Sequence, residues 1–388
     1  MEPMTIDESS RHRGPLNDLV VELVHRSAGF RRSLPPGLVG ALADLVRAMN
    51  CYYSNLIEGH RTHPVEIELA LAGDYSADPE QRDLQLEARA HIAVQRWIDD
   101  GGLDCPPVGV AAIRAIHERF CVQLPDDLLW VADEASAERV RVSGGELRSR
   151  DVAVGRHVAV SPGAVPRFLE RFEQAYARLG RADSILAIAA AHHRLLWIHP
   201  FMDGNGRVAR LLSHAMLLDT LDTGAVWSVA RGLACSVERY KGHLAACDLP
   251  RRNDLDGRGT LSEAALAAFT GYFLGTCVDQ IDFMENLMQP GRLHGRILAW
   301  AQQEVRAGSL PSQAPAVVES VLFRGALARA DVPGIVGTGE RHARRVVAAL
   351  TGAGVLTADS SRAPLRLAFP ARLAEYWMPG LFPARSED

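Results

Sequence analysis

The spacing of apolar and polar positions along the chain predicts a mainly helical protein. Between positions 38 and 57 apolar residues recur at helical intervals, and the run stops at Gly59, a residue type that often follows a helix. Residues 152–160 alternate instead about Gly155, which predicts a short β-hairpin. The helical pattern returns elsewhere, and it predicts further helices over 64–72, 84–97, 108–121, 166–177, 182–199, 207–218, 236–247, 262–288 and 340–350.

Interruptions of this pattern divide the chain into predicted segments. The first residues are polar and broken by proline and glycine, so we expect a flexible N-terminus there. A helical region follows, then a larger core domain, and the character of the sequence changes after Pro290 and Gly291. The predicted segments are therefore 1–33, 34–100, 101–290 and 291–388.

The last segment resembles a winged helix-turn-helix domain. Its predicted helix over 340–350 is amphipathic, and a β-type pair follows it. Arg341, Arg344 and Arg345 of that helix could contact DNA phosphates, but residues 319–377 carry only eight arginines against five acidic residues. Such domains also bind proteins, so DNA stays an open partner that the sequence does not favour. The apolar face of the helix consists of Ala343, Val346, Val347 and Leu350.

The composition is that of an ordinary soluble protein. Hydrophobic residues make up 47% of the chain, charged residues 23%, and the net charge is −5, which argues against general coating of nucleic acid. Lys241 is the only lysine, so an isolated arginine carries little information here. No stretch has the character of a secretory signal or a membrane span, and the six cysteines lack zinc spacing. We therefore expect a cytoplasmic protein with no membrane partner.

A twelve-residue stretch between two predicted helices carries the candidate chemistry. Gly204, Asn205 and Gly206 stand at the start of a helix, where consecutive backbone N–H groups can turn toward one anion. Arg207 and Arg210 are three positions apart on the emerging helix, so both can approach a bound polyphosphate. The pattern predicts a phosphate-binding nest.

Two further side chains complete this stretch. His199 ends the preceding helix and has the intrinsic pKa of a general base near neutral pH. Asp203 offers a hard oxygen ligand that suits Mg²⁺ carried by phosphates. A base, a metal ligand and a phosphate nest together indicate phosphoryl or nucleotidyl transfer.

The stretch from His199 to Arg210 reads HPFMDGNGRVAR, and it matches the Fic-family motif H-P-F-x-[D/E]-G-N-G-R-x-x-R at every specified position. The resemblance implies a helical Fic core that moves AMP from ATP to a Tyr, Thr or Ser hydroxyl of a target protein and of the chain itself. It also implies that His199 deprotonates the hydroxyl and that Asp203 holds Mg²⁺. Related Doc-type kinases carry lysine where this chain has Gly206, which favours AMP transfer over phosphate transfer.

A second match lies upstream, in the segment 34–100. Ser54, Glu58 and Gly59 fit the family's inhibitory pattern [S/T]-x-x-x-E-[G/N]. By resemblance, Glu58 pairs with Arg210 and denies that arginine to the γ-phosphate of ATP, so the enzyme is autoinhibited. The predicted hairpin over 152–160 stands where the family has its flap, which holds a target segment as an added strand. Tyr240 stands where relatives place an aromatic residue against adenine.

Other functions stay open at this point. The Fic core could sense nucleotide for a transcriptional regulator that binds DNA through residues 291–388, or Glu58 could position a water that removes AMP from a modified target. The sequence names neither the target protein nor the oligomeric state, a homodimer included. We reject a dinucleotide fingerprint because the glycines follow a helix rather than a strand. A calcium loop at 254–265 lacks its ligands at Arg258 and Ala265, and His192 and His193 lack zinc spacing.

Overall fold

The protein folds as a mainly helical chain with small antiparallel hairpins. The computed structural model describes residues 1–132, 138–221 and 223–382. The helices are α1 (Arg13–Ser33), α2 (Pro36–Ile57), α3 (Pro64–Leu71), α4 (Pro79–Asp99), α5 (Val110–Cys121), α6 (Val165–Tyr176), α7 (Arg181–Ile198), α8 (Asn205–Thr220), α9 (Val229–Cys235), α10 (Val237–Cys247), α11 (Glu263–Met288), α12 (Pro290–Arg306), α13 (Ala314–Arg324), α14 (Val332–Val336), α15 (Glu340–Gly352) and α16 (Ala374–Trp377). The strands pair as β1 (Trp130–Ala132) with β2 (Arg139–Arg141), β3 (Ala153–Val154) with β4 (His157–Val158), and β5 (Leu356–Thr357) with β6 (Arg366–Leu367).

The helices predicted from apolar spacing are present, and they differ from the prediction mainly at their ends. The helix predicted over 84–97 begins five residues earlier, at Pro79. Asp78 explains the earlier start, because its side chain accepts hydrogen bonds from the backbone N–H groups of Glu80 and Gln81. This N-cap satisfies amides that have no partner within the helix. Helix α11 likewise begins after a cap, since Ser262 Oγ accepts from Ala265 N at 3.1 Å.

Helix α7 lies at the centre of the core, buried on almost every side from Ile185 to Ile198. It packs against α1, α6, α8 and α11, and α8 also contacts α4 and α5. Because α7 and α8 are joined directly by the motif stretch, the loop with the candidate chemistry is supported by the best-packed part of the molecule.

The predicted flexible N-terminus, residues 1–33, is wrong. Residues 13–33 form α1, which packs against α11 along a face made by Leu16, Val20, Leu23, Ser27 and Phe30. These positions repeat every three or four residues, so the helical signal was present between polar neighbours. The residues before α1 are also held, since Tyr176 Oη donates to Met4 O at 2.7 Å.

The C-terminal part contains an amphipathic helix followed by a hairpin, as predicted. Helix α15 buries the predicted face of Ala343, Val346, Val347 and Leu350, and β5 pairs with β6 after it. Arg341, Arg344 and Arg345 are exposed on the same helix. The winged-helix assignment and the segment boundaries stay predictions, and residues 383–388 lie outside the described part of the chain.

Within the described ranges, none of the helices has the length and apolar character that crossing a membrane would require.

Candidate active site

The connection between α7 and α8 brings the motif residues to one place. Helix α7 ends at Ile198, and His199 adopts the left-handed region with φ 52° and ψ 64°. Gly204 is also left-handed, with φ 77°, and caps the start of α8. A left-handed conformation is uncommon for a residue other than glycine and is found most often where the surrounding structure enforces it. These two left-handed residues lie at the two ends of the loop that joins α7 to α8.

Asn205 fixes the shape of this loop through its side chain. Its Oδ1 accepts from Phe201 N at 3.0 Å, and its Nδ2 donates to Phe201 O at 2.9 Å. The Phe201 ring stacks on His117 of α5 with centroids 3.9 Å apart. Asn205 therefore closes the turn, while the backbone N–H groups of the first turn of α8 have no partner within the helix. Such a helix start attracts phosphate.

Arg148 is a site residue that the sequence did not reveal. Its guanidinium is buried and donates from Nε to His199 O at 2.7 Å, from Nη1 to Arg150 O at 2.8 Å, and from Nη2 to Val160 O. Its backbone N donates to Pro200 O at 2.9 Å. Arg148 thus ties the hairpin segment to the loop of His199. In a chain with almost no lysine, nothing in the sequence distinguished this arginine from the others.

The predicted hairpin at 152–160 is present as β3 and β4 next to the end of α7. The His157 Nε2 atom lies 2.8 Å from Trp197 O, near the end of α7. Val154 and Val158 of the hairpin are 51% and 74% exposed. The role of this hairpin in holding a target segment stays a prediction.

The His199 ring is neutral at neutral pH, and its pKa lies below the ordinary histidine value. Burial lowers the pKa of His199 to about 4, and the nearby Arg148 and His157 act in the same direction. A pKa of about 4 leaves the ring neutral at neutral pH, with a lone pair able to accept a proton, but it makes the ring a weaker base than the histidine of ordinary pKa that the sequence suggested.

Arg210 of α8 is held by the two residues that the inhibitory pattern singled out. Its Nε donates to Ser54 Oγ at 2.7 Å, and its Nη2 donates to Glu58 Oε1 at 2.5 Å. Ser54 lies in the last turn of α2, and Glu58 follows directly after that helix. The contact between Glu58 and Arg210 is the one that the sequence predicted, and its inhibitory effect stays a prediction.

The Glu58 carboxylate also lies against the phosphate nest. A Cβ atom built on Gly206 would collide with Glu58 Oε1. Burial raises the pKa of Glu58, but the positive charge and hydrogen bond of Arg210, together with Arg207, outweigh burial and leave the net pKa lowered. Glu58 is therefore a carboxylate at neutral pH, and it presents negative charge where phosphate oxygens would bind.

Asp203 is exposed on the loop between Phe201 and the nest. In the described residues, no group of three or more acidic, histidine or cysteine side chains is arranged to hold a metal ion. A single carboxylate at the edge of a phosphate nest fits Mg²⁺, which usually takes one or two carboxylates and completes its shell with waters and substrate phosphates.

Tyr240 belongs to α10, and its side chain is buried in the core rather than exposed on an open surface. It is 2% exposed, and its hydroxyl contacts His192 Nε2 at 2.6 Å. His192 Nδ1 in turn contacts Ser213 Oγ of α8 at 2.8 Å. Tyr240 and His192 therefore contact α8 from its core side. Adenine packing by Tyr240 stays a prediction.

Comparison with known proteins agrees with the geometry. The sequence model of the Fic/DOC family matches residues 107–217. Proteins named Protein adenylyltransferase Fic from Drosophila grimshawi and Drosophila ananassae are each 40% identical over 80 residues. That stretch is 20% of this chain and 16% of each relative, so the chain spans about a sixth of the length of these relatives.

Solved structures with a similar fold are also Fic proteins. A Fic family protein from Desulfovibrio desulfuricans G20 superposes with a TM-score of 0.54 at 18% identity, over 94% of this chain and 98% of that one. Fic-1 (aa134–508) from C. elegans gives a TM-score of 0.51 at 17% identity, over 71% of this chain and 73% of that one. At such identities the likeness shows the fold. The motif and the family match together identify residues 107–217 as a Fic domain, and the solved structures show that the chain has a similar fold.

Proposed function

We propose that the protein is a protein adenylyltransferase, which moves AMP from Mg²⁺-bound ATP to a hydroxyl side chain of a target protein and of the chain itself. The observation that carries this proposal is that one short loop joins a neutral His199 at the end of α7 to the glycine-capped start of α8, the helix that carries Arg207 and Arg210. The relatives named Protein adenylyltransferase Fic support it over the stretch they share with this chain.

The proposed transfer is an in-line displacement at the α-phosphorus of ATP. A ring nitrogen of His199 takes the proton of the target hydroxyl while the hydroxyl oxygen bonds to the α-phosphorus. The bond from that phosphorus to the oxygen bridging to the β-phosphate breaks, and pyrophosphate leaves. Such a reaction depends on positioning and charge stabilisation more than on covalent catalysis.

The charges of the phosphates need matching donors. The N–H groups at Gly204, Asn205 and Gly206 receive phosphate oxygens, and Arg207 and Arg210 add charge-assisted hydrogen bonds. Asp203 would hold Mg²⁺, which supplies neutralisation of the negative charge on the α- and β-phosphates when it is bound.

At rest the proposed enzyme is inhibited by Glu58. Its carboxylate pairs with Arg210 and fills the space beside the Cα of Gly206, so the γ-phosphate would find neither a free arginine nor an open nest. The hairpin β3–β4 would hold the target segment beside His199 by pairing with it as an added strand. We propose a cytoplasmic location, with a homodimer as one arrangement of the chain.

Labelled ATP tests the proposal directly. The Glu58→Gly protein is incubated with Mg²⁺ and a cell lysate, with ATP labelled either at the α-phosphate or at the γ-phosphate. Relative to the same lysate incubated without the protein, whose own kinases use γ-labelled ATP, we expect additional label in protein only from the α-position. Label from the γ-position would indicate a kinase, and no label from either with ATP still bound would favour a nucleotide sensor.

The low pKa of His199 gives a prediction on pH. A histidine with a pKa of about 4 is almost fully deprotonated at pH 5.5, while one near its ordinary 6.5 is about 90% protonated there. We therefore expect kcat/KM of the Glu58→Gly protein to change less than about twofold between pH 7.5 and 5.5. Initial rates of label transfer measure it, with circular dichroism checking the fold at each pH. A roughly tenfold fall by pH 5.5 in folded protein contradicts the prediction.

A further inference from the structure

Arg207 is held in place before any substrate is bound. It is the third residue of α8, its side chain is 9% exposed, and its Nη2 donates to Glu87 Oε2 of α4 at 2.5 Å. On α5, the Phe120 ring centroid lies 5.0 Å from the Arg207 Cζ. Two neighbouring helices therefore fix the guanidinium, one through a carboxylate and the other through an aromatic ring.

One N–H group of the same guanidinium has no hydrogen-bond acceptor in the part of the chain that the structure describes. The Nε atom of Arg207 is buried and has no hydrogen-bond partner within the described residues. A buried donor without an acceptor is costly, and in native proteins it needs an explanation. A guanidinium has five N–H donors in a rigid fork, so it can keep Glu87 on one nitrogen and bind a phosphate oxygen with another.

Glu87 differs from Glu58 in its place at the site. A Cβ atom built on Gly206 meets Glu58 and Arg210, and Glu87 is not among its nearest neighbours. Glu58 therefore has to move before a phosphate can enter the nest, while Glu87 can stay paired with Arg207. Among the described residues, His60 also lies near the Glu87 carboxylate, with its Nδ1 atom 3.7 Å from Glu87 Oε2.

We propose that Glu87 is a positioning residue for ATP: it orients Arg207 so that a free N–H of that arginine binds a phosphate at the start of α8. This inference rests on the proposed function, since it assigns a phosphate ligand to the nest. We therefore expect loss of Glu87 to weaken ATP binding, whereas loss of Glu58 should strengthen it.

The test uses the full chain with Glu58→Gly as background. Glu87→Gln keeps the size of the side chain and removes its charge, while Glu87→Leu also removes the acceptor. Calorimetry measures the Kd of Mg²⁺-ATP and of adenosine, which lacks phosphates. We expect the Kd of ATP to rise about threefold with glutamine and about tenfold with leucine, the Kd of adenosine to stay constant, and Glu87→Asp to restore most of the affinity.

Rates of label transfer add a second measurement, in which KM for ATP should rise more than kcat falls. Glu80→Leu, on the exposed first turn of α4, is the matched control and should change nothing. Unchanged ATP binding in Glu87→Leu overturns the proposal, as does faster transfer, which would make Glu87 a second inhibitory residue. Equal loss of adenosine binding would reduce its role to folding. If the background protein transfers no label, the proposed function fails, and the comparison of ATP with adenosine still judges Glu87.

Discussion

Replacing His199 by alanine in the Glu58→Gly protein is expected to reduce AMP transfer by about 10²- to 10⁴-fold. The neutral ring is the group that we propose takes the hydroxyl proton, and its residue lies in the loop between α7 and α8 that leads into the proposed nest. Initial rates of transfer from α-labelled ATP to a saturating target measure the loss. ATP should still bind with an affinity within a few-fold of the background, because the nest and the arginines are untouched.

Two comparisons make this result specific. His25→Ala removes an exposed histidine of α1 and should leave the rate unchanged. His199→Asn keeps a polar side chain of similar shape but offers no basic nitrogen, so it should be as slow as alanine. Transfer by His199→Ala at the background rate would show that another group, or water, takes the proton.

Replacing Glu58 by glycine in the parent protein is expected to raise AMP transfer by about 10- to 100-fold. The change removes the carboxylate that lies 2.5 Å from Arg210, and it frees the nest at Gly206. A charge-assisted hydrogen bond from Arg210 to phosphate is worth about 1.5–3 kcal/mol, which corresponds to the expected range of rates. Glycine is tolerated here because Glu58 follows the last residue of α2.

The inhibitory role is tested further by variants that separate charge from size. Glu58→Asp keeps the carboxylate and should stay slow, while Glu58→Gln removes the charge and should be intermediate. Ser54→Ala loses the second contact of Arg210 and should give a small increase. A Glu58→Gly protein that binds ATP more tightly but transfers no faster would limit Glu58 to a role in binding.

Some contacts of the site could be found from the sequence because they are local or carry a motif. The proposed base, metal ligand and nest fall within twelve consecutive residues, and a glycine-bounded helix start presents its N–H groups wherever it occurs. The contact of Glu58 with Arg210 joins residues 152 positions apart, and only the resemblance to a known family made it predictable.

Other contacts were decided by packing. Glu87 meets Arg207 across 120 positions because α4 lies against α8, and neither residue belongs to a pattern that would have linked them. Arg148 became a site residue because it is buried beneath the hairpin, where the carbonyl oxygens of Arg150, Val160 and His199 accept its donors. The pKa of His199 also follows from burial, which no single segment of sequence encodes.

The sequence by itself determined the helical class and the glycine-capped start of α8, because both arise from the conformational preferences of neighbouring residues. The tertiary structure decided that α1 is packed rather than flexible, that Tyr240 faces the core, and which carboxylate holds each arginine. The physical reason is range: backbone preferences act between neighbours along the chain, while burial and ion pairing depend on which helices come together in space.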